Sequence, residues 1–593
     1  MANSAHYFAQ YILDAFEKYH GAFTEITRRA GSRFRNEDWE GMRSDAVERL
    51  DVYSRVVDRS VSELLGIIGD ARYDEKHWKA VKAAYVAIIG DRYHYQLAET
   101  FYNSVVRRVF SVTGVNPKIE FTVSDFKAPI IEEKPCPVCT AFPPEPGRTD
   151  LYAAVSGILD RFSDALPLMD SIGDSKRVAG AVERHLAEKD VDPSDIMIEM
   201  ADPVFYRNKD AYLVGRILAG PAVYPLVICI LNIQGKMFAD AVLLETAEIS
   251  ILFSFAYAYF HVAVVNPEEM VNFLKSIMPL KRISEIYTSL GYHKHGKAEL
   301  FRELMRRLDQ TDDCFEIARG EKGMVMVVFT IPALDVVFKI IRDRFDSPKQ
   351  TTHAYIRNRY QLVFRHDRAG RLVDVQEFNL LTFDRNRFPD ALMQELDKKA
   401  SKNMTLRDEH VIVHHLYTER RLVPLDVFIR ENPPAVVTDV LLDYGWCVKE
   451  LAAGNIFPGD LFFKNFGVTR WGRVVFYDYD ELLLLTDCRF RKMPEPRHHE
   501  EMMADEPWFS VDENDVFPEE FRNFLHFPEY AGPVFEEIHG DLFAVDFWRE
   551  MQKKINDGVI IYILPYKNHR RFDHNILETS GLYFFQKKKV TTS

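Results

Sequence analysis

Between Asp38 and Ile67 the apolar positions Trp39, Met42, Ala46, Leu50, Tyr53, Val57, Val61 and Leu64 recur at intervals of three and four, the stripe of an amphipathic helix, and Gly69 supplies its stop. Further helical patterns run near 75–112, 149–165, 175–188 and 295–309, whereas Tyr212 to Ile233 reads as two strands broken at Gly220 and Pro221. The first half is therefore expected to be mainly helical. Past a polar stretch at Gln310 to Asp313 the pattern changes. A short apolar run at Cys314 to Ala318, a turn at Arg319 to Gly323 and near-continuous apolar runs at Met324 to Ile331 and Val336 to Ile341 predict successive strands. His415 to Ile429 has the form of a strand, a connection and a helix, and Arg473 to Tyr477 that of a short strand.

These patterns predict an α+β chain of two parts, a mainly α-helical one over 1–311 and one of mixed strands and helices over 312–593. A length of 593 residues is too great for one core, and 47% hydrophobic residues exclude a largely disordered chain. The net charge of −14, with no long basic run, argues against a nucleic-acid surface. The lysines at 587–589 read as a solvated tail. Ile249 to Val265 carries no full charge over 17 residues but includes serines, tyrosines and His261, which predicts a buried helix rather than a membrane span. The N-terminus lacks a secretory pattern, so the cytoplasm is the expected location. Cys136 and Cys139 form a lone CxxC, a weak zinc signal without a second pair.

The chemistry concentrates between Asn455 and Leu485. Asn465 lies five positions after Asp460 and Asp478 lies eighteen positions after Asp460, the spacing of a kinase catalytic loop and its metal-binding aspartate. Phosphoryl transfer asks a protein mainly to hold cations against phosphates and to aim a nucleophile. Asp460 would be the base or orienter, and Asn465 and Asp478 the ligands of Mg²⁺ or Mn²⁺. Asp and Asn also recur in loops as turn formers. Upstream, Lys339 is flanked by Val, Phe and Ile, so it either snorkels from an edge strand or meets an anion. Gly320 and Gly323 fall short of a full GxGxxG. Residues 417–424 sit where a kinase hinge would bind adenine, and an ordinary strand-to-helix link reads equally well there.

The runs Arg319 to Phe329 (RGEKGMVMVVF), Val337 to Phe345 (VFKIIRDRF), Asp374 to Phe378 (DVQEF) and Asn455 to Glu481 resemble the isocitrate dehydrogenase kinase/phosphatase family, as do Phe205 to Gly215 and Glu506 to Phe521. The resemblance implies an enzyme that phosphorylates a serine of isocitrate dehydrogenase with ATP and removes that phosphate in a reaction that needs bound nucleotide (ATP or ADP), controlling entry to the glyoxylate bypass. It implies an ATP-binding segment at Ala318, Arg319, Gly320, Glu321, Lys322, Gly323 and Met324, a nucleotide-binding Lys339 and an active-site Asp374. It also implies that the mainly α-helical part over 1–311 is a regulatory domain, that 312–593 is a bilobal protein-kinase-like domain, and that AMP is an effector. Oligomeric state stays open, with a homodimer as one arrangement.

Departures from ordinary protein kinases add to this. Phe457, Pro458 and Gly459 precede Asp460 where His-Arg is usual, and Phe462 replaces the usual lysine. The helix expected over 351–367 offers no Glu to Lys339, leaving Gln361 or Asp374 as candidate partners. Asp478-Tyr479-Asp480 replaces Asp-Phe-Gly, so two carboxylates at i and i+2 can share a face on extended backbone. Asp480 would then orient or deprotonate water for the phosphatase step; the alternative is that it caps the segment after it. The polar stretch 488–520 is a candidate substrate-docking segment, or a plain surface connection. Two other readings remain at this level: a small-molecule kinase of the aminoglycoside or choline type, and a non-catalytic pseudokinase scaffold.

Overall fold

The computed structural model describes residues 2–110, 116–122, 138–143, 150–257, 259–346, 349, 351–363, 369–494, 509–559, 561–572 and 583–584. Cys136 and the lysines at 587–589 lie outside them.

The expected helix appears as Trp39–Ile68, started by an Asp38 carboxylate that accepts from the Gly41 N–H at 2.8 Å and stopped at Gly69, whose φ of 55° suits glycine. The structure adds a 34-residue helix ahead of it, Ala2–Arg35. Its buried stripe Phe8, Ile12, Phe16, Tyr19, Phe23 and Ile26 packs with Val52, Tyr53 and Val57 in one core. The pattern near 75–112 resolves into two helices, Glu75–Ile89 and Tyr95–Phe110, because Gly90 and Asp91 are poor helix formers. Helices Tyr152–Arg161, Ser171–Glu188 and His293–Gln310 match the remaining expectations.

The predicted strand pair is Asp210–Ala219 and Ala222–Ile233, joined at Gly220-Pro221. It forms the middle of a larger antiparallel sheet with Ile196–Ala201 and Lys236–Leu243 that periodicity left unread. Lys236–Leu243 is buried on both faces, so it lacks alternation, and Ile196–Ala201 is too short to announce itself. The buried helix expected over Ile249 to Val265 is corrected: only Thr246–Leu252 is helical. Tyr257 then takes a positive φ of 58°, and the chain runs on in irregular form, with His261 exchanging backbone hydrogen bonds with Tyr206. The apolar composition marks burial there, and the aromatic and strand contacts override helix formation. No helix among the described residues is long and apolar enough to cross a membrane.

The second half has two lobes. In the upper one, Val375–Asp384, His410–Arg420, Val336–Ile341, Met326–Ile331 and Glu316–Ile317 lie side by side in an antiparallel sheet. The expected helix near 351–367 is His353–Val363. The lower lobe is built on the 20-residue helix Pro434–Ala453, against which Val474–Phe476 packs. Buried Arg371 ties these together: it bonds Asp443 at 2.6 and 2.9 Å, Glu450 at 2.6 Å and the Val474 carbonyl at 2.8 Å. One feature departs from a 312–593 unit. Residues 561–572 return to the N-terminal sheet, where Arg571 makes two 2.9 Å bonds to buried Asp240 and Tyr566 adds a third.

Candidate active site

Strand order positions the lysine. In the ladder, Lys339 stands opposite Tyr417, with Glu419 opposite Val337, so Lys339 and Glu419 are diagonal neighbours on one face. Their charges meet at 2.8 Å, and the ammonium also donates to the Tyr477 carbonyl at 2.8 Å. Both residues are buried. Burial pushes the Glu419 carboxyl up, and the adjacent ammonium opposes that shift. This corrects the expected partner: neither Gln361 nor Asp374 takes the role that the helix glutamate fills in other kinases. A glutamate at the end of an apolar strand was the available signal, but the register that makes it diagonal to Lys339 cannot be read from sequence.

A cleft of about 770 Å³ lies below this pair. Along its walls are Ala318 to Met324, Lys339, Asp460, Asn465, Asp478 and Asp480, so the structure brings together every expected site residue but one. The glycine turn is held at its ends: Arg319 pairs with Glu431, Lys322 with Glu395, and Glu321 with Lys464 at 3.1 Å. Gly320 has a φ of 100°. Gly459, at 90°, lets the Asp460 loop lie against the 479–481 turn, since a Cβ there would meet the Glu481 carbonyl at 2.5 Å.

Asp460 accepts from the Phe462 N–H at 3.1 Å and from the Asn465 amide, which leaves the Asn465 carbonyl oxygen turned elsewhere. Burial pushes Asp460 up to about 6, against the Phe462 bond and with help from Glu481 and Asp480. Such a carboxylate suits proton abstraction near neutrality. The Asp478 and Asp480 carboxyls lie within hydrogen-bonding reach of each other, and burial followed by the Asp480 charge drives Asp478 well above the ordinary carboxylate range. Crowded carboxylates are hard donors, Asn465 lines the same cleft, and a divalent cation fits that set. Two residues unmarked by sequence complete the floor. Lys349 bonds Asp480 at 2.8 Å and Glu481 at 2.6 Å; burial opposes its charge, but the two carboxylates hold it protonated. Lys464 reaches over the Phe462 ring at 5.4 Å, near the place of the missing lysine.

Asp374 is the exception, and its expected contact with Lys339 or a metal is corrected. It lines a separate cavity of about 120 Å³ between the N-terminal region and the upper lobe. There Tyr259 donates to it at 3.0 Å and Gln376 at 2.8 Å. Burial pushes it up to about 6, against those two bonds. Lys281, Arg282, Glu285, Arg420 and Arg473 share the cavity. Burial would raise Glu285, but Arg420, Lys281 and Arg282 outweigh it and hold the group at about 2. Glu419, Arg420, Leu422 and Thr469 line both cavities, so the end of the His410–Arg420 strand and the residues after it form part of their common wall.

A family model described as the isocitrate dehydrogenase kinase/phosphatase (AceK) kinase domain matches residues 313–568, and its regulatory-domain counterpart matches 9–312. The chain belongs to the isocitrate dehydrogenase kinase/phosphatase family. Relatives carrying that name include one from Anaeromyxobacter sp. (strain Fw109-5), 44% identical over 95% of this chain and 97% of its own. Another, from Yersinia pseudotuberculosis serotype I (strain IP32953), is 38% identical over 96% and 98%. The isocitrate dehydrogenase kinase/phosphatase resemblance thus extends over nearly the whole length, not only the cleft.

Lys339→Met should abolish ATP binding and, by leaving Glu419 buried without its cation, cost on the order of 3 kcal/mol of stability. Adding Glu419→Gln should restore much of the stability but none of the binding, as thermal melts and ATP titration would report. Asp374 gives a pH signature. Its folded value lies above the ordinary 3.8, so its stabilising term is complete below about pH 4 and is lost as pH rises through about 6. The stability of the wild type relative to Asp374→Asn should therefore fall across that window; a flat difference in melting temperature would refute the shift.

Proposed function

We propose that this protein phosphorylates a serine of isocitrate dehydrogenase with ATP and also removes that phosphate, so that one cleft sets whether the substrate enzyme is active and how carbon divides between the citric acid cycle and the glyoxylate bypass. The observation that carries the reading is the pairing of Asp478 and Asp480 in the same cleft as Lys339 and the glycine turn. Its units would be a regulatory region to about residue 311 and a kinase region after it, with the C-terminal strap reaching back. A small-molecule kinase would not explain similarity to the regulatory-domain model over 9–312. A scaffold would not explain the retention of Lys339, Asp460, Asn465 and Asp478. A metabolic enzyme as partner favours the cytoplasm.

In the kinase direction Lys339 and the glycine turn bind the nucleotide phosphates, and Asp460 takes the serine proton as its oxygen attacks the γ-phosphorus and the bond to ADP breaks. Bound Mg²⁺ or Mn²⁺ would neutralise phosphate charge, held by Asp478 and Asn465. In the phosphatase direction Asp480 takes a proton from water as the water oxygen attacks the phosphoserine phosphorus. The serine oxygen leaves and recovers a proton from Asp460. Lys349 keeps Asp480 oriented toward the cleft. Asp374, outside the cleft, acts on the reaction indirectly.

The interdomain cavity is the candidate seat of the effector AMP: Lys281, Arg282, Arg420 and Arg473 offer phosphate partners. The docking reading of 488–520 draws support from a paired base, where Arg489–Phe490 runs parallel to Asp515–Val516 and Arg491 bonds Asp515; residues 495–508 lie outside the described residues.

Transfer of labelled γ-phosphate from ATP to purified isocitrate dehydrogenase, then a chase with ADP and unlabelled nucleotide, tests the function. The wild type should load the label and release it as inorganic phosphate. Asp478→Ala should do neither, whereas Asp480→Ala should load but release at least about a hundredfold more slowly, the low end for loss of a general base. No transfer despite ATP binding would reject the reading, and equal loss of both reactions in Asp480→Ala would reject the division of labour.

Excising residues 495–508 should weaken binding of the substrate protein while ATP hydrolysis persists. Lys281→Met should weaken AMP binding without changing ATP binding. Calorimetric titrations check both, and unchanged affinity in either case sinks the corresponding assignment.

A further inference from the structure

Tyr479 stands between the two cleft carboxylates yet points away from them. Its ring is fully buried, edge-on to Tyr360 at 5.5 Å, and Tyr360 in turn stacks on Tyr417 at 4.1 Å. Phenylalanine would fill that place equally well, and phenylalanine is the usual residue of the motif. The hydroxyl is what differs. It accepts from the Val373 N–H at 2.6 Å, and it faces the Val373 carbonyl at 2.8 Å and the Phe476 carbonyl at 3.2 Å, either of which can take its proton. The Val373 N–H also reaches the Phe476 carbonyl at 3.3 Å, and the Tyr479 hydroxyl is the side-chain group of the catalytic turn that meets both backbone groups of Val373.

The next residue along the chain is Asp374, whose carboxylate meets Tyr259 and lines the interdomain cavity. Val375 follows, and its carbonyl accepts from Tyr257. Residues 373–375 therefore bond the catalytic turn through one residue and the N-terminal region through the next two. A shift of this short segment cannot leave both sets of bonds intact.

We propose that the Tyr479 hydroxyl is a positioning group for the Asp478 and Asp480 carboxylates and that, through residues 373–375, it couples their arrangement to the hydrogen bonds that Tyr257 and Tyr259 of the N-terminal region make with Val375 and Asp374. The balance between phosphorylation and dephosphorylation is then set partly by the N-terminal region, without any of its residues entering the cleft. Because dephosphorylation needs Asp480 as well as Asp478, displacement of the turn weighs more heavily on that direction. This rests on the two-direction reading of the cleft given above.

The test is the ratio of the two activities, measured on full-length Tyr479→Phe, Tyr259→Phe and Asp374→Asn with saturating ATP and metal. Tyr479→Phe should bind ATP within about twofold of the wild type and lower the phosphatase-to-kinase ratio by at least about fivefold, the low end of coupling between sites. Tyr259→Phe, which touches nothing in the cleft, should shift the ratio the same way. Asp374→Asn should shift it in the wild type and add little in the Tyr479→Phe background. A purely structural hydroxyl would lower both activities in step with the melting temperature, leaving the ratio constant. An unchanged ratio in Tyr259→Phe, or simple additivity of Tyr479→Phe and Asp374→Asn, overturns the proposal. Should Tyr479→Phe fail to fold, Tyr259→Phe decides alone. A wild type lacking one of the two activities would instead remove the underlying functional reading.

Discussion

The Lys339–Glu419 ion pair is the constraint around which the catalytic half is arranged. Two buried, opposite charges must stay together, since removing one partner of such a pair costs on the order of 3–5 kcal/mol. In this chain the pair is made across adjacent strands of one sheet, so the ladder itself fixes its geometry. A lysine whose partner rides on a separate helix depends on where that helix sits. Here His353–Val363 has no such duty and contributes packing instead, through Tyr360 against Tyr417 and Tyr479. Control by helix movement is consequently weakened at its source. The same Glu419 forms part of the wall between the cleft and the interdomain cavity, which brings the nucleotide site within one strand of the N-terminal region.

The lower lobe meets a second requirement, that Asp478 emerge at a fixed point. Its strand Val474–Phe476 is clamped on one side by the Val474 N–H to Asp443 at 2.7 Å and on the other by the Phe476 N–H to the Arg371 carbonyl at 2.7 Å. Arg371 is itself saturated by Asp443, Glu450 and a carbonyl, so its buried charge is fully answered. The carboxylates that follow are the opposite case. Asp460, Asp478 and Asp480 crowd one region with Lys349 and Lys339 as nearby cations, an arrangement that favours a bound metal and phosphate over the empty cleft.

Much of this was legible. The strands around Lys339 and the strand before Asp478 announce themselves by apolar runs, and the 460/465/478 spacing carries its chemistry directly. What failed to show has physical reasons. The central strands of the six-stranded N-terminal sheet are buried on both faces over most of their length, which erases the alternation that reveals a strand. The apolar stretch after Ile249 signals burial without specifying conformation, and Tyr257 at positive φ ends any helix there. Glu419 and Lys349 lie 80 and 10 positions from Lys339, and only strand register or chain reversal brings such residues to a common site. Asp374 was marked as functional by resemblance, but flanking valines could not say which cavity it would face.

A cleft that runs a reaction and its reversal by hydrolysis needs a selector other than its shared nucleotide. The architecture supplies candidates only from outside the lobes, because the lysine pair is fixed by the sheet and the metal strand by Arg371. The segment 373–375 is bonded on both sides, and it is the place where the N-terminal region meets the catalytic turn through named hydrogen bonds. The C-terminal strap has a related effect at the far end. By bonding Asp240 through Arg571 and Tyr566, it ties the end of the catalytic half back onto the N-terminal sheet and limits how far the two regions can separate. Small displacements at the interdomain cavity are thereby favoured over wide opening. A polar tie that transmits sub-ångström shifts, such as the Tyr479 hydroxyl, is the kind of element that can respond to them.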